Sequence, residues 1–397
     1  MAVSESACAS FVARHLTIRG QIGQPVPDAA RHVFTELATS LAAFGIAPLQ
    51  EKVYGPLAER DTILGIRSEV LSRHGLDGEL PVTFIAGRRD EDLGVVGTQL
   101  LGVVPATESP LRVRTVHYGA GFSGRLLECK EGRLLHLAAV DGSAASGLRA
   151  GTVSAEAEQM LKNAERGLIE HGFGFRHVVR TWIYLARLLD WYGEFNRIRT
   201  AFLRERGITG AATGAPYPAS TGIQGCQGAG ECFMDLLAVD GPGFAVRPIQ
   251  ASSRQKQPIA YGSSFSRGMA LCVGGEQTVF VSGTASIDGV GQTLHCWQRE
   301  AQVLETLLGL AGLLEDQGAS LRDVALATIF CKDRETFATF ERLTRQLGIT
   351  RMPVLPVLAD VCRPELMVEI EALALVPSPS GLQRWDSSSA RQAEAKR

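Results

Sequence analysis

One order of elements recurs along this chain, and that repetition limits what it can fold into more than any other feature. Residues His177 to Leu185 alternate in the manner of a strand, and a helical pattern follows over 188–206. A Pro/Gly-bounded turn, Pro216 to Ile223, then leads to a second strand, Cys232 to Val239. The order returns with strand Val324 to Cys331, a helix over 335–347, the Pro-rich run Met352 to Leu358, and a strand around Val368 to Ala372. A long amphipathic helix precedes each set, over 155–171 (Met160, Leu161, Ala164, Leu168) and over 298–317 (Leu304, Leu307, Leu308, Leu314). Each ends near a glycine, Gly172 or Gly318, as left-handed C-caps do. A weaker copy opens the chain, with helices over 28–44 and 59–73 and strands over 51–55, 81–85 and 94–104. The reading is α+β: three tandem units at 1–108, 109–250 and 251–376, each a mixed sheet with two helices on one face. A Ser- and Pro-rich tail, 377–397, reads as disordered.

With 40 basic and 42 acidic residues in 397, the net charge is −2, so no global field favours nucleic acid. An anionic substrate must be met by local arginines. No apolar run approaches the ~20 residues of a membrane span. The acidic, core-less N-terminus argues against a secretory signal, and a cytoplasmic location is expected. The eight cysteines are scattered without a CxxC and read as reduced thiols; Cys226 and Cys232 are close enough to face each other across a short loop, with a disulfide or metal site there the lesser expectation. No metal cluster or phosphate loop is visible, so no cofactor is expected. His295 stands alone and reads as structural or surface.

Glu369 and Glu371 lie two apart in an apolar strand, so both point to one face. A buried carboxylate is costly unless paired or used, which makes this strand the first candidate for chemistry. Asp235 stands at the matching place in the second unit. Arg180 lies on a strand among apolar neighbours, where a solvated role is least expected. Arg197 and Arg199 are two apart on a helix and do not share a face, so at most one enters a common site. Tyr217, Ser220 and Thr221 carry hydroxyls on a turn that turn chemistry alone also explains.

The order β-β-α-β-α-β-β with a closing Val368-Glu369-Ile370-Glu371-Ala372 strand resembles the Rid (YjgF-like) superfamily. Within it, the fused arrangement resembles the chorismatase/3-hydroxybenzoate synthase family. Arg180-Thr181-Trp182, Phe195 to Arg199, Pro218 to Ile223, Tyr261-Gly262 with Phe265-Ser266-Arg267, Ser282 to Ile287, and Cys362-Arg363 with Glu369 carry that likeness over about residues 110–376. The match departs at Ile183 and Tyr184, in a linker kept only as Arg254-Gln255-Lys256-Gln257, and in a longer N-terminal unit. The arginine that simple Rid imine hydrolases use before the penultimate strand is missing from all three units, so imine deamination is disfavoured.

The resemblance implies cleavage of the enolpyruvyl ether of chorismate to pyruvate and 3-hydroxybenzoate, with Glu369 as general acid and Glu371 as the other candidate. A dicarboxylate substrate calls for guanidinium forks; the candidates are Arg180, Arg267, Arg197, Arg199 and Arg363, the first two preferred. Cys362 and Gly268 resemble the 3-hydroxybenzoate branch, Gly268 by leaving room for the ring and Cys362 by assisting an oxide intermediate; a small buried hydrophobe is the ordinary fate of such a cysteine. Rid proteins are trimers, so a homotrimer or a pseudo-trimeric monomer is implied, with the cleft between units two and three or across a trimer interface. Residues 1–110 suggest packing rather than catalysis. Two other readings stay open: a hydrolase or cyclase on another small carboxylate in secondary metabolism, and a non-catalytic Rid-like metabolite-binding protein.

Overall fold

The computed structural model describes the chain except Ala9, 107–109, Ala120, 144–150, 211–213 and 378–397. The tail read as disordered thus lies, beyond Pro377, outside the described residues. The first sheet holds β1 (Ala2–Ala7), β2 (Phe11–Arg19), β3 (Ala47–Tyr54), β4 (Thr83–Ile85) and β5 (Gly97–Pro105), in the order β1-β2-β5-β3-β4, with helices α1 (Val26–Phe44) and α2 (Arg60–Arg73). The second holds β6 (Arg112–Tyr118), β7 (Phe122–Cys129), β8 (Gly132–Asp141), β9 (Val178–Leu185), β10 (Ala219–Gln224) and β11 (Cys232–Asp240), in the order β10-β9-β11-β8-β7-β6, with α3 (Val153–Glu170) and α4 (Leu188–Glu205). The third holds β12 (Ala245–Ile249), β13 (Gly268–Val273), β14 (Glu276–Ala285), β15 (Val324–Cys331), β16 (Val354–Leu358) and β17 (Val368–Pro377), in the order β12-β13-β14-β17-β15-β16, with α5 (Arg299–Glu315) and α6 (Arg334–Gln346).

The repeated order therefore folds as three mixed sheets, each with a parallel edge strand reached through a helix. Gly172 (φ 77°) and Gly318 (φ 74°) lie just past α3 and α5 in the left-handed region, which glycine enters without a Cβ clash. One border differs from the sequence reading. Ala245–Ile249 pairs with β13 and so belongs to the third sheet, before the expected break at 250. Pro248 interrupts the strand pattern there, and only the pairing partner identifies the strand.

Strand alternation sorts side chains into an outer and an inner set. The outer faces bury apolar residues under each unit's own helices, as with Val368, Ile370, Ala372 and Ala374 of β17. The inner faces of all three sheets converge on one shared core, to which Phe11 and Tyr54, Trp182 and Phe233, and Phe280 and Phe330 contribute. Glu369 and Glu371 alternate with the outer set, so they point with Leu373 toward this shared side.

The three units are also joined by buried polar contacts. Asp235 of β11 accepts from Gln50 Nε2 (3.2 Å) and Thr83 Oγ1 (2.7 Å) of the first unit and from the Ala139 amide (2.9 Å). His136 Nε2 lies 3.4 Å away. Replacing Asp235 by alanine leaves these buried donors unmet, so Asp235→Ala is expected to destabilise the fold by about 3 kcal/mol or more. Urea denaturation followed by tryptophan fluorescence measures this.

Candidate active site

Strand register makes three clefts formally equivalent, and their side chains make them different. Gln99, Asp235 and Glu371 lie opposite Lys52, Trp182 and Thr328 in the three units. The parallel edge strands set Thr83, Thr221 and Leu355 beside those same partners. Two residues ahead of the first set come Gly97, Phe233 and Glu369. Between units one and two that last position holds the Phe233 ring, stacked on Tyr184 at 4.7 Å. Between units three and one, Leu355 fills the space, since a Cβ on Gly97 would come 2.4 Å from Leu355 Cδ2. Of these equivalent positions, only the one between units two and three carries an ionisable group.

That group, Glu369, is buried. Its carboxyl rests against the backbone of Gly283, where a Cβ would sit 1.9 Å from Oε1. Gly283 lies in an irregular step of the β14–β17 ladder between Val281 and Thr284. Burial, followed by the neighbouring charge of Glu371, pushes the Glu369 carboxyl up to about 8, although Arg180 and Arg267 pull the other way. No hydrogen bond holds it among the described residues, so its proton is unengaged.

Glu371 is ionically tied. Arg180 Nη2 donates to its Oε2 at 2.7 Å and also reaches Thr221 Oγ1 at 2.6 Å. Arg180 packs on the Trp182 ring at 4.9 Å, and its Nη1 is buried without a hydrogen-bond partner. A cavity of about 40 Å³ opens beside Arg180, Trp182, Glu371, Lys52 and Gln99; Glu369 is not part of its lining. Arg267 is buried just before β13, its Nε donating to the Lys256 carbonyl at 3.1 Å.

Arg199 is buried on the helix side of β10. It donates to Asn196 Oδ1 (2.8 Å) and Ser220 Oγ (3.3 Å) and packs on Phe195, with no carboxylate in ion-pair range among the described residues. Arg197 is not brought in: it projects into solvent beside Glu194 at 3.6 Å. Arg363 sits on the partly exposed loop next to Cys362 and donates to Thr293 Oγ1 at 3.2 Å. Ser220 and Thr221, adjacent on β10, point to opposite faces: Ser220 joins Thr181 and Arg199, and Thr221 joins Arg180. The Tyr217 ring lies in the helix-side core, against Gly210, and its carbonyl accepts from Ser266 Oγ at 2.7 Å.

Two expectations change on physical grounds. The space beside Gly268 is not open to a substrate ring: a Cβ there would meet the Phe280 carbonyl at 2.7 Å and Ile249 at 3.2 Å. The glycine that makes room at the acid is Gly283. The Cys362 sulfur is ringed by protein although the residue is partly exposed, and burial, with Glu369 next, pushes its thiol up to about 12. It therefore stays protonated at neutral pH and acts as a weak donor, not a thiolate. Sequence reasoning missed Tyr192 of α4, whose hydroxyl would lie 3.2 Å from a Cβ on Gly222 and which interacts electrostatically with both Cys362 and Glu369. Nothing in a helical tyrosine signals such a contact. It also missed Lys52. Cys226 and Cys232 are buried and not joined by a disulfide, and no metal-holding cluster occurs among the described residues. Nor is any helix there long and apolar enough to cross a membrane.

The shift at Glu369 has a consequence for stability. The folded value of about 8 lies above the ordinary 4.5, so the unfolded chain loses this proton first. As pH rises between those values, ionisation favours the unfolded chain; above about 8 the difference is constant. Glu369→Gln removes the effect. Its stability advantage over the wild type is expected to grow from pH 5 to pH 8 and then level off, as thermal melts across that range would show.

Comparison with known proteins bears on the fold that carries this geometry. Residues 258–376 match the family model described as endoribonuclease L-PSP. A chorismatase from Streptomyces rapamycinicus is 28% identical over 221 residues, 50% of this chain; the match spans 64% of that relative's length. A chorismatase crystal structure superposes with a TM-score of 0.59 at 19% identity, covering 94% of this chain and 99% of its own. A putative endoribonuclease from Thermotoga maritima is 30% identical over 29% of this chain and 87% of its own, with a TM-score of 0.25. The chain thus carries an endoribonuclease L-PSP domain over residues 258–376, is similar in sequence to a chorismatase over half its length, and has a fold similar to that of a chorismatase.

Proposed function

We propose that this protein is a chorismatase that releases pyruvate and 3-hydroxybenzoate from chorismate, with Glu369 as general acid. The observation that carries this is a buried carboxyl, pushed up to about 8, that no hydrogen bond engages among the described residues and that feels the charges of the buried Arg180 and Arg267. An enol ether is cleaved by protonating its terminal vinyl carbon. That step needs an acid still holding its proton near neutral pH. Glu369 donates the proton, and the ether carbon becomes an oxocarbenium centre. The ring C–O bond breaks with its electron pair going to oxygen, which becomes the keto oxygen of pyruvate. The neighbouring ring hydroxyl closes onto the vacated carbon as an oxide, and its proton restores Glu369. The oxide then opens at its other carbon, its oxygen takes up a proton to become the hydroxyl, and loss of the proton from the carbon that keeps that oxygen makes the ring aromatic.

Arg180 Nη1 and Arg267 are the anchors we assign to the substrate carboxylates. Arg199, whose charge lacks a carboxylate partner among the described residues, is the next candidate. We assign the 3-hydroxybenzoate branch on Cys362, a protonated thiol beside Glu369 that supports donation to a ring oxygen. Three sheets around one core within a single chain support a pseudo-trimeric monomer.

Purified protein incubated with chorismate is expected to release pyruvate together with 3-hydroxybenzoate, resolved by chromatography. A non-aromatic diol beside pyruvate removes the branch assignment, and no pyruvate above the spontaneous background removes the activity. Glu369→Gln is expected to lower kcat by about 10²–10⁴-fold. The wild-type rate is expected to fall as pH rises through about 8, where Glu369 loses its proton; a pH-independent rate between about 6 and 9 would exclude it as the acid.

A further inference from the structure

The N-terminal unit sends one charged side chain into this cleft. Lys52 of β3 is buried, its Nζ 3.6 Å from Glu371 Oε1 and 3.9 Å from the centre of the Trp182 ring. Glu371 is thus held from two sides, by Lys52 of unit one and Arg180 of unit two. We propose that Lys52 is a positioning residue, whose ammonium keeps Glu371 an ionised anchor for Arg180 and so leaves the single proton of the glutamate pair on Glu369. The inference rests on the proposed role of Glu369.

The reasoning is electrostatic and geometric. Two neighbouring buried carboxyls do not readily ionise together, so the pair keeps one proton at neutral pH. Its location follows from the partners each carboxyl has. Glu371 has two cations within 4 Å, whereas Glu369 has no hydrogen bond among the described residues. Without Lys52, Glu371 retains Arg180 alone, and the proton is drawn toward it. The charged and titratable groups around the pair are few. Glu369 feels Arg180 from β9, Arg267 from just before β13, Tyr192 from α4 and Cys362 from the loop ahead of β17. Lys52 feels Glu371 from β17, Asp235 from β11 and Arg180 from β9, with the neutral Gln99 of β5 beside the same cavity. Glu371 also feels Tyr54 of β3 and Tyr184 of β9. Asp235 is already engaged by Gln50, Thr83, His136 and the Ala139 amide, which leaves Glu371 as the carboxylate Lys52 serves. Burial lowers the ammonium to about 8 against the pull of Glu371, so the pair operates close to the limit at which lysine keeps its charge.

The competing role for Lys52 is packing on Trp182. Lys52→Met keeps an apolar stem over that ring and removes only the charge. The test is infrared spectroscopy of protonated carboxyl groups at neutral pH, without substrate, on the full-length protein. In the wild type one buried band should vanish in Glu369→Gln. In Lys52→Met that band is expected to weaken, and a second to appear that is missing from Lys52→Met/Glu371→Gln. With chorismate, kcat is expected to fall in proportion to the Glu369 band while KM changes less. In the Glu371→Gln background, Lys52→Met should cost nothing further, because the amide introduced there carries no charge to balance. Lys52→Arg should keep the wild-type spectrum. If Lys52→Met does not fold, Lys52→Gln against Lys52→Arg makes the same comparison. An unchanged Glu369 band in the charge-neutral variant, or an equal loss of kcat in both backgrounds, overturns the proposal. The spectrum is read without substrate, so a failure of chorismate turnover leaves it decisive.

Discussion

The buried ion pair between Arg180 and Glu371 joins one unit to the next, and the arrangement of the interior depends on it. Neither charge has water to fall back on, so each is tolerable only where the other is delivered at hydrogen-bonding distance. The carboxylate comes from the third unit, the guanidinium from the second, and the ammonium of Lys52 from the first. Breaking one of these contacts strands a charge in the shared core. This cost ties the relative placement of the three sheets to the chemistry of a single cleft.

The same backbone, used three times, supports three different outcomes. Where the cleft position is Phe233, the space is filled and Asp235 becomes a junction for hydrogen bonds from the first unit. Where it is Gly97, Leu355 closes in. Where it is Glu369, Gly283 removes the one Cβ that would exclude the carboxyl. Two clefts have thus been turned to cohesion and one to an unengaged acid, and the asymmetry lies in side chains rather than in topology.

Much of the fold was legible in the chain because its signals are local. Helical spacing located α1 to α6 to within a few residues, since each buries its apolar stripe under its own sheet. The two-residue alternation placed Glu369 and Glu371 on one face for the same reason. β12 was not legible, because a strand holding Pro248 shows itself only through its partner β13. At the site, the burial of Arg180 could be inferred from its apolar neighbours. The contribution of Lys52 could not, because most of the chain separates it from Glu371 and nothing in a short polar strand announces that distance closed.

Sequence alone determined the α+β class, the threefold repetition, the pairing of two acids on one strand face and the near-zero net charge, all consequences of periodicity and composition. Tertiary structure decided which of the three equivalent positions holds an acid, which arginines turn inward, that Gly283 clears space for that acid while the backbone around Gly268 is closed to a ring, and that the first unit lends its lysine to the third. These depend on which side chains meet across sheet boundaries. Such meetings are set by the packing of a shared core and not by any neighbour along the chain.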